Sequence, residues 1–545
     1  MQYVRQTLGA IVDQKCNEYK DREAMVFAAD HSRITYAQFQ VLYDSLAKSL
    51  YELGIRKGDR IALMSVNSPC WLALQIAAAK IGAVLICINT AYKEAELEYV
   101  LNHSESSMLI LASGSSRTSF LNTFRKICPE LEHSVPGQLN SVYLPHLKTI
   151  ITDEKRPSHG VLTLSELTER GKNLPDSILD GLTLSCDDTI NIQYTSGTTG
   201  KPKAVMSAHY AIVNNALVCG ENMKYTPEDR LLLCLPLFHV IGCVLSGILS
   251  LLFGSTLVIV ERFQTEQVLE FLEREKCTAI NAVPTMFHFL LNSPDFSSES
   301  LTALNKGFIA GSCCSPALMQ DIMTKLHIKE LSNVYGQTEA IAITQTVPGD
   351  SLDNLIHTIG RPLEGVEAKI IDPATKKALC SSLSGELYIK SEYLMKGYYK
   401  NKAATESAVD SEGWLHTGDL AVMDSQGYIR IMGRIKDIII RGGENISPVE
   451  IENLLKEYDG IQEVAVIGFP DPALGEEICA LIVSNDSTIT EDELLDFLRS
   501  RLAKFKVPKY IRFVEDLPMT SSGKIQKFLL KEQLQKEYAV SEALR

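Results

Sequence analysis

Apolar runs with the length of buried strands alternate with helix-like runs over most of the chain. Strand-like RIALMSV (60–66) precedes helix-like PCWLALQIAAAKIG (69–82), and strand-like AVLICIN (83–89) precedes helix-like KEAELEYVLNHS (93–104). Further strand-like runs cover 108–113, 147–153 and 190–196. Strands that are apolar on both faces and separated by helices are typical of a parallel sheet covered by helices. The alternation therefore predicts α/β architecture with largely parallel, buried strands.

The chain is too long for one hydrophobic core, and its pattern changes along its length. A single core rarely serves more than about 250–300 residues, whereas this chain has 545. After about residue 360, shorter strand-like runs are joined by Gly- and Asp-rich turns. From Ser447 the order helix, strand, strand, helix, strand indicates a small α+β unit, with a boundary near residues 433–437.

Composition narrows the class of protein. With 22% charged and 45% hydrophobic residues the chain is globular, and a net charge of −14 without a long basic block argues against nucleic-acid binding. The 13 cysteines include no C-x-x-C pair and cannot all pair, which predicts reduced, mostly buried thiols in a cytoplasmic protein. The adjacent Cys313 and Cys314 are interpreted as small residues in a tight loop rather than as a reactive site.

Residues 231–260 carry no charge and are long enough to span a membrane. Pro236, His239 and three glycines interrupt the stretch, so we expect a buried strand–helix–strand unit and no integral membrane segment. The N-terminus lacks the uninterrupted apolar core of a signal peptide. These features support the expectation of a cytoplasmic location.

The strongest local signal is YTSGTTGKPK (194–203), which follows a strand-like run and precedes a helix-like run at about 208–218. Small residues let consecutive backbone N–H groups approach a polyphosphate, and Lys203 adds positive charge. The segment does not match the Walker A pattern. A Ser/Thr/Gly hairpin turn has the same composition, so these residues alone leave both interpretations open.

Two further motifs offer groups that suit a nucleotide. In YGQTE (335–339), Glu339 provides a hard oxygen ligand for Mg²⁺, and Tyr335 provides a flat face for a nucleobase. In TGD (417–419), Asp419 could accept both hydroxyls of a ribose. Taken alone, the first motif is more often an ordinary loop, and the second is more often an Asx turn.

Two motifs near the C-terminus are less specific. In GRIKDIIIRGGENISP (433–448), Arg434 could donate to ribose or phosphate oxygens, and Gly442 and Gly443 allow unusual dihedral angles. In SSGKI (521–525), Lys524 follows a glycine. The alternatives are a β-hairpin and a solvated lysine, so the functional interpretation depends on the complete set of motifs.

In this order, the five motifs resemble the adenylate-forming superfamily of acyl-CoA synthetases, peptide-synthetase adenylation domains and beetle luciferases. The resemblance extends from about residue 7 to 535 and is greatest to medium-chain fatty acyl-CoA ligases, as in IIRGGENISPVEIE and FKVPKYIRFV. It implies a large N-terminal domain (1–433) of parallel-sheet αβα layers plus a small β-barrel-like part. A hinge (434–436) and a small mobile α+β C-terminal domain (437–545) would follow.

The resemblance also implies a reaction: a carboxylic acid and ATP form acyl-AMP and pyrophosphate, and the acyl group then passes to coenzyme A. Lys524, Thr338, Glu339 and His239 would be catalytic, and Glu339 would bind Mg²⁺. The ATP phosphates would be bound by Thr195, Ser196, Gly197, Thr198, Thr199, Gly200, Lys201, Pro202 and Lys203. Adenine and ribose would be bound by Gly311, Ser312, Tyr335, Gly336, Asp419 and Arg434.

Three further regions acquire expected roles from the resemblance. Lys436 would be the hinge about which the small domain turns, bringing Gly442, Gly443 and Glu444 toward the CoA thiol in place of Lys524. The acyl pocket would be lined by His239, Val240, Gly242, Val283, Met286 and Ile341. Its apolar walls favour an aliphatic acid of medium length, with aryl acids second.

One departure and three alternatives accompany the resemblance. Ala204 stands where the family usually has glycine, which is tolerable only if the backbone is extended there. The acceptor could instead be an acyl carrier protein in trans, the chain could be a nucleotide-binding relative without catalysis, or it could be an oxygenase of the luciferase type. The sequence does not determine the oligomeric state.

Overall fold

The structure is a computed structural model that describes residues 3–115, 119–155, 159–195, 202–312, 314–471, 474–520 and 525–543. Within these residues the strands form four sheets, of which the first two are large and mostly parallel. In spatial order the first sheet contains Arg361–Pro362, Ile341–Gln345, Glu330–Gln337, Lys306–Ala310, Ala279–Ala282, Arg230–Leu233, Thr256–Ile259, Glu23–Phe27 and Arg33–Thr35. The second contains Gly397–Tyr398, Lys203–Ala208, Thr189–Thr195, Val84–Cys87, Arg60–Ser65, Met108–Ala112, Thr149–Thr152 and Leu162–Thr163.

Helices cover these sheets, as the alternating pattern predicts. They are Leu8–Glu18, Tyr36–Glu52, Pro69–Lys80, Glu94–Ser104, Phe120–Ile127, Leu164–Lys172, His209–Asn222, Val240–Gly242, Leu249–Phe253, Thr265–Arg274, Pro284–Leu291, Pro316–Lys325, Leu352–His357, Lys402–Ala408, Pro448–Lys456, Glu491–Arg499 and Lys527–Ala543. A π-helical segment, Cys243–Ile248, joins two of them. The predicted α/β fold is thereby confirmed.

The helix Pro69–Lys80 shows how local sequence and packing agree. Ser68 caps it by accepting a hydrogen bond from the Trp71 N–H, and Pro69 occupies the first turn, where its missing N–H costs nothing. Residues 71–79 are all buried, because helices pack on the outer side of this element as well. The buried position of this helix therefore explains why it has no polar face.

The uncharged stretch 231–260 forms a strand, a helical segment and a second strand, as expected. Arg230–Leu233 and Thr256–Ile259 pair in parallel, with the helical residues 240–253 between them. No helix among the described residues combines the length and apolarity needed to cross a bilayer. Most of the described cysteines are buried, which agrees with the expectation of mostly buried thiols.

The smaller sheets follow in the chain. The third, antiparallel, sheet contains Val366–Ile371, Gly385–Ser391, Leu415–Met423 and Ile429–Arg434, and corresponds to the part predicted to be barrel-like. The fourth contains Glu444–Ile446, Ile439–Arg441, Gly475–Ser484 and Ile461–Asp471, and Tyr510–Phe513 pairs with Gly475–Ser484. Separate apolar clusters lie on the two faces of the fourth sheet, so this unit has a core of its own.

The strand Lys203–Ala208 was not predicted from the sequence. It pairs antiparallel with Thr189–Thr195, and the helix predicted at about 208–218 begins at His209. Ala204 lies opposite Tyr194 within this ladder and is buried. An extended residue accommodates a Cβ without strain, so alanine in place of the family's glycine is compatible with this backbone.

Candidate functional site

Several of the predicted site residues lie at one edge of the first sheet. The neighbouring strands Arg230–Leu233, Ala279–Ala282, Lys306–Ala310 and Glu330–Gln337 are parallel, so their carboxyl ends meet at the same edge. His239, Val283, Gly311 and the 335–337 segment lie at or just beyond these ends. Carboxyl ends of parallel strands are the usual location of ligand sites in α/β proteins.

A tight hairpin presents Thr338 and Glu339 at this edge. A Cβ added to Gly336 would lie 1.8 Å from the Ile341 carbonyl oxygen, so only glycine fits. Ile341 itself has a φ of +61°, which is rare and strained for a β-branched residue. Buried Asn215 supports the turn, because its amide donates to the Ala342 carbonyl at 2.9 Å and accepts from the Ala342 N–H at 3.2 Å.

The Glu339 carboxylate is held by a tyrosine that the sequence analysis did not identify. The Tyr398 hydroxyl donates to Glu339 Oε1 at 2.7 Å, and the Lys203 ammonium lies 4.9 Å from the centre of the Tyr398 ring. The Glu339 carbonyl also accepts from the Met395 N–H at 2.7 Å. Lys203, the last residue of the predicted phosphate loop, and Glu339, the predicted magnesium ligand, therefore both contact the Tyr398 side chain.

Asp419 lies at the centre of a second cluster. Its Oδ2 accepts from the Tyr335 hydroxyl at 2.5 Å and from Gln337 Nε2 at 2.9 Å, and its Oδ1 lies 3.0 Å from Arg434 Nε. The Asp419 side chain is almost fully buried. Burial, together with the adjacent Asp419 charge, raises the pKa of Tyr335 well above its ordinary value, so the phenol remains a donor.

This cluster joins two sheets. Tyr335 and Gln337 belong to the first sheet, whereas Asp419 and Arg434 lie opposite each other on neighbouring strands of the third sheet. Gln337 strengthens the junction by donating to the Thr417 carbonyl at 2.8 Å. A carboxylate has about four lone-pair positions, so Asp419 retains accepting capacity for a ligand hydroxyl.

His239 caps the helix that begins at Val240, and its ring contacts Phe238. Its Nε2 is buried and has no hydrogen-bond partner among the described residues. Loss of hydration lowers the pKa of His239 to about 4, because no nearby charge offsets the cost of burying the cation. At neutral pH the ring is therefore uncharged.

The residues predicted to form an acyl pocket are buried around the same edge. Val240, Val283, Met286 and Ile341 are each less than a tenth exposed. A Cβ added to Gly311 would contact Val283 at 3.1 Å, which places the predicted adenine and acyl segments side by side. Gly242 is also buried, and a Cβ there would clash with the Pro236 carbonyl.

Several predicted residues lie outside the described part of the chain. They are Ser196, Gly197, Thr198, Thr199, Gly200, Lys201, Cys313 and Lys524. The described flanks of the phosphate loop, Thr195, Pro202 and Lys203, are half-buried. On either side of 521–524, Met519 bridges Ile525, and the Gln526 N–H donates to the Pro518 carbonyl at 2.7 Å.

The remaining predicted residues lie further along the chain. Ser312 is exposed beside Gly311. Lys436 is exposed in a one-turn 3₁₀ helix, Ile435–Asp437, between the third and fourth sheets. Gly442 and Gly443, with positive φ values of 59° and 88°, form an exposed turn of the fourth sheet with Glu444. These are dihedral angles that glycine adopts without strain.

Comparison with known proteins shows which family the chain resembles. The family model for AMP-binding enzymes matches residues 12–399, and that for the AMP-binding enzyme C-terminal domain matches 450–524. The putative acyl-CoA synthetase YngI of Bacillus subtilis is 42% identical over 97% of both chains. The human medium-chain acyl-CoA ligase ACSF2, a mitochondrial protein, is 39% identical over 97% of this chain and 88% of its own.

A solved structure of another enzyme has the same fold. The anthranilate CoA ligase AuaEII, determined in complex with anthranoyl-AMP, superposes with a TM-score of 0.88 and is 26% identical. The alignment covers 99% of each chain.

The chain therefore belongs to the AMP-binding enzyme family. Within it, the chain is an acid–thiol ligase of the AMP-forming, acyl-CoA synthetase type. ATP, Mg²⁺ and coenzyme A, the predicted cofactor and co-substrates, are those of this class.

Proposed function

We propose that this protein activates a medium-chain fatty acid as its acyl-adenylate and transfers the acyl group to free coenzyme A. In the first step a carboxylate oxygen attacks the α-phosphorus of ATP and pyrophosphate leaves. In the second the CoA thiolate attacks the acyl carbon and AMP leaves. The observation that carries the proposal is that Glu339 and the buried apolar residues around His239 lie at one sheet edge, where Tyr335 also binds Asp419 of the third sheet.

Different clusters of residues would bind different parts of ATP. Asp419 and Arg434 would bind the ribose, with Tyr335, Gly336, Gly311 and Ser312 at the adenine. Thr338 would contact the α-phosphate. Segment 195–203 would bind the β- and γ-phosphates, and Glu339 would bind Mg²⁺. Mg²⁺ in nucleotide sites is usually held by one or two carboxylates together with phosphate oxygens, so the half-buried Glu339 side chain suits it. Bound there, Mg²⁺ neutralises charge on the departing pyrophosphate.

The two steps need different groups beside the same carbon. Lys524 would pair with the substrate carboxylate and the α-phosphate during adenylation, which offsets the repulsion between two anions. Rotation of a C-terminal domain (437–545) about a hinge at 434–436 would then replace it with the 442–444 turn. The separate core of the fourth sheet supports a unit that moves as a rigid body.

The lining of the pocket carries the proposal for an aliphatic acid. Val240, Val283, Met286 and Ile341 offer apolar surface and no charge to pair with an ammonium or a second carboxylate. Burial of apolar surface stabilises binding by about 0.8 kcal/mol per methylene, so affinity should increase with chain length until the pocket is filled. An acyl carrier protein as acceptor is the second candidate, and the exposure of the Gly442–Gly443 turn is compatible with either thiol.

A screen of acids tests the substrate and the acceptor. Pyrophosphate release should be greatest for straight-chain acids between hexanoate and dodecanoate in a series from butanoate to hexadecanoate, with benzoate lower. Acyl transfer to CoA should exceed transfer to an acyl carrier protein at equal thiol concentration. A preference for amino or dicarboxylic acids would contradict the proposed pocket, and transfer only to the carrier protein would favour the second candidate.

The low pKa of His239 gives a prediction about pH. Its folded pKa of about 4 lies below the ordinary value of about 6.5, so the ring stays neutral from pH 6 to 9. Replacing His239 with Gln should therefore change kcat/KM by the same factor throughout this range. The measurement is the pH profile of pyrophosphate release for both proteins, and a ratio that changed around pH 6.5 would show that the ring titrates there.

The cytoplasmic location expected from the sequence remains a prediction. Imaging of the full-length chain with a small C-terminal tag would test it.

A further inference from the structure

Tyr398 is buried at the junction of two predicted binding groups. It lies on the short edge strand Gly397–Tyr398, which pairs antiparallel with Lys203–Ala208 through Tyr398 and Val205. Its N–H donates to Thr405 Oγ1 at 2.9 Å. The ladder and this bond fix the backbone, so the position of the ring is set by the fold and not by a ligand.

The hydroxyl end of Tyr398 meets a negative charge. It donates to Glu339 Oε1 at 2.7 Å. A phenol is a hydrogen-bond donor at neutral pH, so this contact suits the carboxylate. Because Tyr398 holds one oxygen of the Glu339 carboxylate, the other oxygen points in a fixed direction.

The ring of Tyr398 meets a positive charge. The Lys203 ammonium lies 4.9 Å from the ring centre, within the range of a cation–π contact. This contact keeps the ammonium on the ring face while the carboxylate is held at the hydroxyl. Glu339 thus contacts the hydroxyl of Tyr398, and Lys203 contacts the face of its ring. Because the two charged groups are held at different parts of one side chain, a direct ion pair between them is disfavoured.

We propose that Tyr398 is a positioning residue for the metal–nucleotide complex. Its hydroxyl orients Glu339 toward Mg²⁺, and its ring holds Lys203 toward the phosphates. Without the hydroxyl, Glu339 could rotate or pair with Lys203, and both groups would then be poorer ligands. This inference rests on the proposed binding of MgATP at this edge and assigns a role to a residue outside the five sequence motifs.

Substitutions at Tyr398 separate the two contacts. Tyr398→Phe keeps the ring and removes the hydroxyl, whereas Tyr398→Leu removes both. Tyr399→Phe is the matched control, because the neighbouring Tyr399 has its ring against His103 and is not part of the proposed site. Each full-length variant should still unfold cooperatively, at a lower temperature for Tyr398→Leu because the smaller side chain leaves a cavity, and this measurement verifies the fold before binding is measured.

The readout is ATP binding by calorimetry, with and without Mg²⁺ and in the absence of any acid. Tyr398→Phe should weaken Mg²⁺-dependent binding about tenfold, as expected for a lost hydrogen bond to a charged group, and leave metal-free binding unchanged. Tyr398→Leu should weaken both, because Lys203 also loses its support. In a Glu339→Gln background, Tyr398→Phe should have little further effect, since its partner charge is already absent.

The possible results distinguish the inference from the proposed function. Wild-type binding that Mg²⁺ enhances, together with an unchanged Tyr398→Phe variant, would overturn the inference alone. So would an equal loss with and without Mg²⁺, or an effect of Tyr399→Phe as large as that of Tyr398→Phe. A wild-type protein that neither binds ATP nor releases pyrophosphate with any acid would overturn both.

Discussion

Replacing Lys524 with alanine is expected to slow acyl-adenylate formation about 10²–10³-fold and to spare thioester formation from preformed acyl-AMP. The reason is electrostatic: the substrate carboxylate and the α-phosphate repel each other, and one preorganised cation between them stabilises the transition state. The second step begins from a neutral mixed anhydride carbon and does not need that cation. Pyrophosphate release from acid and ATP measures the first step, and acyl-CoA formation from synthetic acyl-AMP measures the second.

A nearby lysine provides the control for this variant. Lys531 lies on the helix that follows Lys524 in the chain and pairs with Glu476 at 2.8 Å, and neither residue is among those assigned to the proposed site. Lys531→Ala should retain both half-reactions at close to wild-type rates. Equal loss of both half-reactions in Lys524→Ala would contradict the proposed role of this lysine.

Asp419→Asn should weaken ATP binding about 10–100-fold. Tyr335, Gln337 and Arg434 all donate to the two carboxylate oxygens of Asp419. An amide has only one oxygen, so its NH₂ group must face one of these donors. An unsatisfied buried polar group costs about 1–3 kcal/mol, which corresponds to this loss of affinity if the ribose contact depends on the cluster. Calorimetry with ATP measures it directly.

Asp372→Asn is the matched control for charge. Asp372 accepts from the Ala374 and Thr375 N–H groups in an exposed turn of the third sheet, where an asparagine oxygen can take the same bonds. ATP affinity should therefore be unchanged in this variant. An Asp419→Asn protein that binds ATP as tightly as the wild type would rule out Asp419 as part of the nucleotide site.

Helices and strands that are determined by their own local sequence were predictable. The helix predicted at 69–82 is observed as Pro69–Lys80, and the strands predicted at 60–66 and 83–89 are observed within two residues of their expected limits. Apolar periodicity and cap residues determine such elements. The strand Lys203–Ala208 was missed because its short run KAVMSA contains a single β-branched residue, and its extended state depends on pairing with Thr189–Thr195.

The sequence predicted the individual motifs of the site but not the contacts between them. Asp419 and Glu339 could each be singled out, but their protein partners lie far along the chain. The bond from Tyr398 to Glu339 spans 59 residues, and that from Gln337 to Asp419 spans 82. No local pattern indicates such contacts, since they arise from the order of strands in the sheets. Asn215, which supports Ala342, was missed for the same reason.

The pair between Asp419 and Arg434 has a practical consequence for protein engineering. Arg434 ends the last strand of the third sheet, and its guanidinium is anchored to a buried carboxylate. Hybrids that exchange the C-terminal region between homologues should therefore keep both residues from one parent and place the junction after Arg434. A crossover between Asp419 and Arg434 would take the two partners of this ion pair from different parents, whereas one within Ile435–Asp437 passes through an exposed turn.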